Sequence, residues 1–146
     1  GSIVYVHKID SKYNLRMYSR IGRRAPLYCT GIGKVLMAWL EDDELLAHLQ
    51  EESFERRTAN TLTTIDDYLQ ELAIVREQGY GEDHEEFEDN MRCLAAPIRD
   101  RFGHVIGGMS VSFPCFRFRE ELKQDYVKQL MQASQQVSSQ LGWHPQ

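Results

Sequence analysis

The side chains with most to offer chemically fall in three short stretches. Two of them, Arg92-Cys93-Leu94-Ala95 and Gly108-Met109-Ser110-Val111-Ser112, alternate small polar and apolar residues in the manner of strands. Side chains two apart on a strand share a face. Ser110 and Ser112 therefore point with Ile106 and Gly108, while Met109, Val111 and Phe113 point the other way. A hairpin turning at Arg101-Phe102 would set Cys93 opposite Ser110 and Ala95 opposite Gly108. One face then carries Cys93, Ala95, Gly108, Ser110 and Ser112, all of them small. Two readings stand: a seat for a small ligand gripped by hydroxyls, or close packing of a helix against glycine.

The third stretch is Thr30-Gly31-Ile32-Gly33-Lys34, followed by the apolar run Val35 to Leu40. Thr30 is a good N-cap for a buried helix. The first backbone N–H groups of a helix have no internal partner, and with the helix dipole they attract anions. Glycine lets a ligand come close to them. The spacing is not the Gly-x-x-x-x-Gly-Lys-Ser/Thr of a nucleotide-phosphate loop. Asp83, in Gly81-Glu82-Asp83-His84-Glu85-Glu86, can accept hydrogen bonds from sugar hydroxyls; its simpler reading is a solvated acidic loop. A cysteine enzyme built on Cys93 is the rival. It needs a base, and the nearest histidine, His84, alternates with Asp83, so only one of the two can face Cys93. A metal site from Asp83 or His84 with Cys93 falls short of a tetrahedral set. Neither a catalytic site nor a cofactor is expected.

The elements that must position these residues read as follows. A strand over 3–9 and a second over 15–19 close a hairpin, with 22–26 as a loop. The Thr30 helix runs to about Leu40. A short helix capped by Asp42 or Asp43 turns Leu45, Leu46 and Leu49 inward. After a loop at 53–62, Thr63 or Thr64 starts a helix with Ile65, Tyr68, Leu69, Leu72 and Val75 at helical spacing, ended by Gly79. Residues 80–89 are an acidic strand or loop. Strands at 91–98 and 104–113 flank a tight turn, Asp100 to Gly103, and Pro114 stops the ladder. A helix from about Arg119 to Leu141 carries Leu122, Tyr126, Leu130, Ser134, Val137 and Leu141 along one stripe. This is an α+β pattern with an antiparallel sheet.

The formal charge of −5 over 146 residues argues against a nucleic-acid-binding surface. Arg16, Arg20, Arg23 and Arg24 are a local exception, read as a solvated or subunit-contacting patch. No apolar run could cross a bilayer and no signal peptide is visible, so a cytoplasmic address with no membrane partner is expected. Three cysteines without metal spacing fit a reducing compartment. The start at Gly1-Ser2, without methionine, reads as a fragment of something longer.

Taken together and in order, the motifs resemble the IclR family of bacterial transcription regulators. Thr30-Gly31-Ile32-Gly33-Lys34-Val35-Leu36 is similar to its Ser/Thr-Gly-x-Gly-Lys helix start, and 57–63 to its threonine-rich loop. Arg76 to Tyr80 with Asp83, Glu85 and Glu86 resembles its acidic segment, and 92–97 with 109–114 its final hairpin. The resemblance spans nearly the whole chain but only the family's C-terminal half. It implies a GAF-like (profilin-like) fold, a central antiparallel sheet flanked by helices, with residues 1–146 forming one effector-binding and oligomerisation domain. The N-terminal winged helix-turn-helix, the part that touches DNA, would be absent from this chain. The family's effector pocket maps onto the N–H groups of Gly31 and Ile32 and the side chains of Asp83, Cys93, Ser110 and Ser112. Met17 and Met91 match apolar wall positions. Ile32 stands where the family often has alanine, which narrows the pocket. Resemblance further implies a small carboxylate effector, a sugar acid or keto acid, homodimers or tetramers, a repressor-type role, and a place in the branch governing carbohydrate catabolism.

Overall fold

The computed structural model describes residues 1–12 and 20–146. The second strand expected at 15–19, with Arg16 and Met17, lies outside the described residues.

Strand β1 (Ser2–Val4) pairs antiparallel with β2 (Arg24–Pro26), Ile3 opposite Ala25. The ladder is shorter than the 3–9 expected, and part of the expected 22–26 loop is a strand. Burial decides this: Ile3 and Ala25 are 4% and 5% exposed, whereas Val6 and Ile9 are 83% and 86% exposed. Beyond the ladder the Tyr5 N–H donates to the Arg23 carbonyl (3.1 Å) and the Tyr5 carbonyl accepts from the Gly22 N–H (2.7 Å), which fixes Tyr5 in place.

Helix α1 (Gly31–Ala38) begins where Thr30 Oγ1 accepts the Gly33 N–H at 3.1 Å, as a capping threonine should. The same hydroxyl donates to the Pro26 carbonyl, tying the cap to β2. Helix α2 (Asp42–Glu51) buries Leu45 and Leu49 but leaves Leu46 half exposed. Leu46 sits one step of 100° round the helix from Leu45, off the inward stripe. Helix α3 (Ile65–Gln78) starts at the Thr64 cap and ends at Gly79, whose φ of 87° is the left-handed value that glycine adopts freely. It buries Tyr68, Leu72 and Val75, with Ile65 and Leu69 on the flank.

The main sheet is antiparallel in the order β3 (Gly81–His84), β4 (Met91–Arg99), β5 (Val105–Pro114). Helix α1 covers one face with α3 packed against α1, and Ala95 joins a core with Cys29, Val35, Tyr68 and Leu72. After 3₁₀ turns at Cys115–Arg117 and Glu120–Leu122, helix α4 (Lys123–Gln140) covers the other, against Leu94 and Ala96. It starts later than expected, and its most buried stripe is Val127, Leu130, Ser134 and Ser138, with Leu141 46% exposed. A serine is buried there for a reason: Ser138 Oγ accepts the Arg99 N–H at 2.9 Å beside an irregularity in the β4–β5 ladder. No described helix is long and apolar enough to cross a membrane.

Candidate functional site

Register brings Asp83, Cys93 and Ser112 into one row across the three strands: Asp83 pairs with Cys93, and Cys93 with Ser112. Cys93 Sγ and Ser112 Oγ lie 3.1 Å apart. The next row is Gly81, Ala95 and Ser110, and the one after it pairs Pro97 with Gly108. Cys93 therefore faces Ser112 rather than the expected Ser110, and Ala95 faces Ser110 rather than Gly108. Two single-residue steps cause the difference. The loop is one residue longer than a four-residue turn, with Gly103 at φ 85° and the Asp100 N–H donating to the His104 carbonyl. A bulge between Ile98 and Arg99 then adds another residue to β5. Two steps restore parity, so the expected face survives while the pairing slides.

Helix α1 sits directly on the middle of this face. A Cβ placed on Gly31 would stand 3.1 Å from the Ala95 Cβ and 3.9 Å from the Cys93 Cβ. One on Gly81 would meet the Gly31 carbonyl at 2.9 Å, and one on Gly108 the Ile32 side chain at 3.1 Å. Close helix packing thus accounts for Gly81, Ala95 and Gly108. The Asp83–Cys93–Ser112 row lies at the N-terminal tip of α1, where the Gly31 and Ile32 N–H groups have no intrahelical partner. Ser110, half-buried, borders that row. Met91, two residues from Cys93 and so on the same face, is half-buried opposite Pro114.

A buried ion pair holds the tip and the row together. Lys34 is fully buried, and its Nζ donates to Glu86 Oε1 (2.7 Å), Glu71 Oε1 (3.0 Å) and the Glu82 carbonyl (2.7 Å). Burial pulls the ammonium toward its neutral form, but the Glu86 and Glu71 carboxylates outweigh it and the pKa is raised. Glu86 also accepts the His84 N–H at 2.9 Å. The 58–61 loop grips the same turn, with Thr61 Oγ1 donating to the Glu86 carbonyl at 2.7 Å. Asp83 itself is 3% exposed, and its Oδ1 accepts the Glu86 N–H at 2.8 Å. Burial, with repulsion from Glu86, pushes its carboxyl up to about 7 despite that bond and the attraction of Lys34.

Burial and the neighbouring Asp83 push the Cys93 thiol up to about 12, against the opposing hydrogen bond from Ser112. His84 is exposed and lies on the opposite face of β3 from Asp83. A neutral thiol without a base is not a nucleophile. Among the described residues no cluster of three or more His, Cys, Asp or Glu side chains is placed to hold a metal. A cavity of about 320 Å³ lined by Arg24, Tyr28 and Arg57 lies elsewhere and shares no residue with the row.

Sequence reasoning missed Tyr5, Lys34 and Glu86 as members of this region. Tyr5 packs partly buried against the core that includes Ala95, and burial, with the Cys93 and Asp83 charges adding to it, pushes its phenol up to about 12. Its period-two spacing from Ile3 was the available signal. For Lys34 and Glu86 there was none, because a lysine and a glutamate 52 residues apart show no spacing pattern.

Residues 1–139 match the family described as Bacterial transcriptional regulator IclR C-terminal. The chain is 57% identical over 143 residues to the HTH-type transcriptional regulator KdgR of Escherichia coli, covering 98% of this chain and 54% of that protein. To KdgR of Dickeya chrysanthemi it is 54% identical over 143 residues, covering 98% and 47%. It thus spans about half the length of the curated relatives it matches. The fold superposes on the C-terminal domain of E. coli KdgR with a TM-score of 0.88 at 51% identity, covering 97% of this chain and 82% of that one. On the Thermotoga maritima IclR structure the TM-score is 0.91 at 32% identity, covering 96% and 57%.

Proposed function

Since the chain belongs to the IclR family of bacterial transcriptional regulators, matching its C-terminal domain, we propose that it senses a small carboxylate metabolite, a sugar acid or keto acid, and passes that signal to a DNA-binding region outside residues 1–146. Its relatives are named regulators, so the protein is a regulator rather than an enzyme. The reading rests on one observation: the free amide tip of α1 meets a row of Asp83, Cys93 and Ser112. A carboxylate seated on the Gly31 and Ile32 N–H groups gains the helix dipole and two aligned donors. The Ser110 and Ser112 hydroxyls complete the grip, Asp83 accepts from the ligand's hydroxyls, and Met91 lines the apolar side.

Signal transfer requires that the ligand bind two arrangements of the assembled protein unequally. The arrangement in this reading is a homodimer or tetramer in the cytoplasm whose subunit spacing sets the spacing of the DNA-binding regions. The relatives named as HTH-type regulators, and the one named DNA-binding transcriptional repressor YiaJ, support a repressor that acts on DNA through that other half. Kinship to KdgR supports the sugar-acid class.

The test is a thermal-shift and calorimetry series with sugar acids and keto acids. A ligand bound only by the folded state raises the melting point. Ser110→Ala with Ser112→Ala should abolish that rise and leave the far-UV circular dichroism unchanged. Unaltered affinity in the double variant rejects this pocket.

A further inference from the structure

A carboxylate seated at the tip of α1 brings a negative charge beside Asp83, and among the described residues Lys34, Arg92 and Lys123 are engaged by other carboxylates. Lys34 Nζ is shared by Glu71, Glu86 and the Glu82 carbonyl. On the far face of the sheet, Arg92 is held by Glu82 and Glu120, and Lys123 by Glu82. From its own strand Asp83 is flanked by Glu82 and His84, both on that far face. Among the described residues Lys34 attracts it from the core, and the other groups acting on it are acidic or neutral. Glu86 presses from the turn after β3, and Glu88 adds its charge to the Cys93 and Tyr5 side of the site. The Cys93 thiol faces it from β4 and the Tyr5 phenol from beyond β1, with Arg23 as the positive charge acting on that phenol. Among the described residues Asp83 forms no salt bridge.

Two anions side by side in a buried seat without a shared cation disfavour one another, because each raises the other's proton affinity. We propose that the site takes up its carboxylate ligand together with one proton, which passes from solvent to the Asp83 carboxylate. This rests on the reading of the site as a carboxylate seat. The protonated carboxyl gains an O–H donor while keeping its acceptor for the Glu86 N–H, so a keto oxygen or hydroxyl of the ligand finds a partner. In the free domain the carboxyl already titrates at about 7, so uptake is largest just above neutrality. The domain then reads metabolite and proton together, and its occupancy falls as pH rises.

Isothermal calorimetry with D-gluconate and with pyruvate, at about pH 6 and pH 8 in two buffers of different ionisation enthalpy, tests this directly. The wild type should take up close to one proton per ligand at the higher pH and almost none at the lower. Its dissociation constant should weaken about tenfold across that interval, as the protonated fraction of the free site falls. Asp83→Asn should show no uptake and a flat profile. A wild-type profile that is flat, or uptake that survives in Asp83→Asn, overturns the proposal. Carboxyl-carbon NMR gives the same answer without a variant: the Asp83 signal should titrate near neutrality when free and at least about two units higher when saturated. If Asp83 titrates near neutrality but neither compound nor any other sugar or keto acid binds, the carboxylate seat itself is refuted, and proton uptake falls with it.

Discussion

Replacing Asp83 by asparagine in the ligand-free domain isolates the energetics of a buried carboxyl. Asparagine keeps an oxygen to accept the Glu86 N–H and removes the titration. A carboxyl raised from 3.8 to about 7 holds, in the folded state, a proton that the unfolded chain has already released across that interval. Folding is therefore most favoured by this group below the lower value, and that contribution is lost as pH rises toward the upper one. At pH 5 the folded carboxyl is protonated and the unfolded one mostly ionised, a penalty of about 1.5 kcal/mol; at pH 8 it grows to about 4 kcal/mol. Stability of Asp83→Asn relative to wild type should accordingly increase by about 2.5 kcal/mol between pH 5 and pH 8. Every other group titrates in both proteins, so the difference cancels it. Urea denaturation at pH 5, 6, 7 and 8, with both chains at equal concentration, measures the gap. A gap that stays constant to within about 0.5 kcal/mol, inside the extrapolation error, refutes the assignment of an unpaired buried carboxyl.

Removing the cation that binds the site together has the opposite sign. Lys34→Met leaves Glu86 and part-buried Glu71 facing each other without it, and should lower unfolding free energy by about 3–5 kcal/mol in urea. Gly33→Ala would put a Cβ 2.2 Å from the Leu27 carbonyl and 2.6 Å from the capping Thr30 hydroxyl. It should therefore destabilise the domain by about 2–4 kcal/mol through overpacking and a displaced cap. Alkylation followed by mass spectrometry should find Cys93 slow: with the thiol near 12 instead of 9.0, its thiolate fraction at pH 8 is about a thousandfold below that of an ordinary cysteine. Labelling of Cys93 as fast as in the urea-unfolded chain would contradict the burial described.

Periodicity made the faces of this fold legible and left distances obscure. That Cys93, Ser110 and Ser112 share a face follows from the period of two, and the Thr30 and Thr64 caps follow from residue type. Partner identity across the hairpin did not follow, because the glycine loop and the bulge each shift the pairing by one and neither is marked by alternation. The same limit hid the short β1–β2 pairing, where burial of Ile3 against Ala25 sets the extent of the ladder. For the site, spacing could not separate helix packing from ligand seating. Both occur on one face, on adjacent rows, and the tip of a single helix divides them. Lys34 reads from sequence only as one position of the helix-start motif; its ammonium points into the core, to Glu86.

The two compensating steps in the β4–β5 hairpin bear on how this region tolerates change in length. Deleting one residue from the Arg101–Gly103 tip, or straightening the bulge alone, would reverse the facing of all of β5. Met109, Val111 and Phe113 would then be driven under α1, and the hydroxyls of Ser110 and Ser112 pressed into the apolar layer beneath α4. Insertions and deletions at this tip should therefore survive only in even numbers, or in pairs that cancel, however exposed Phe102 and its neighbours are.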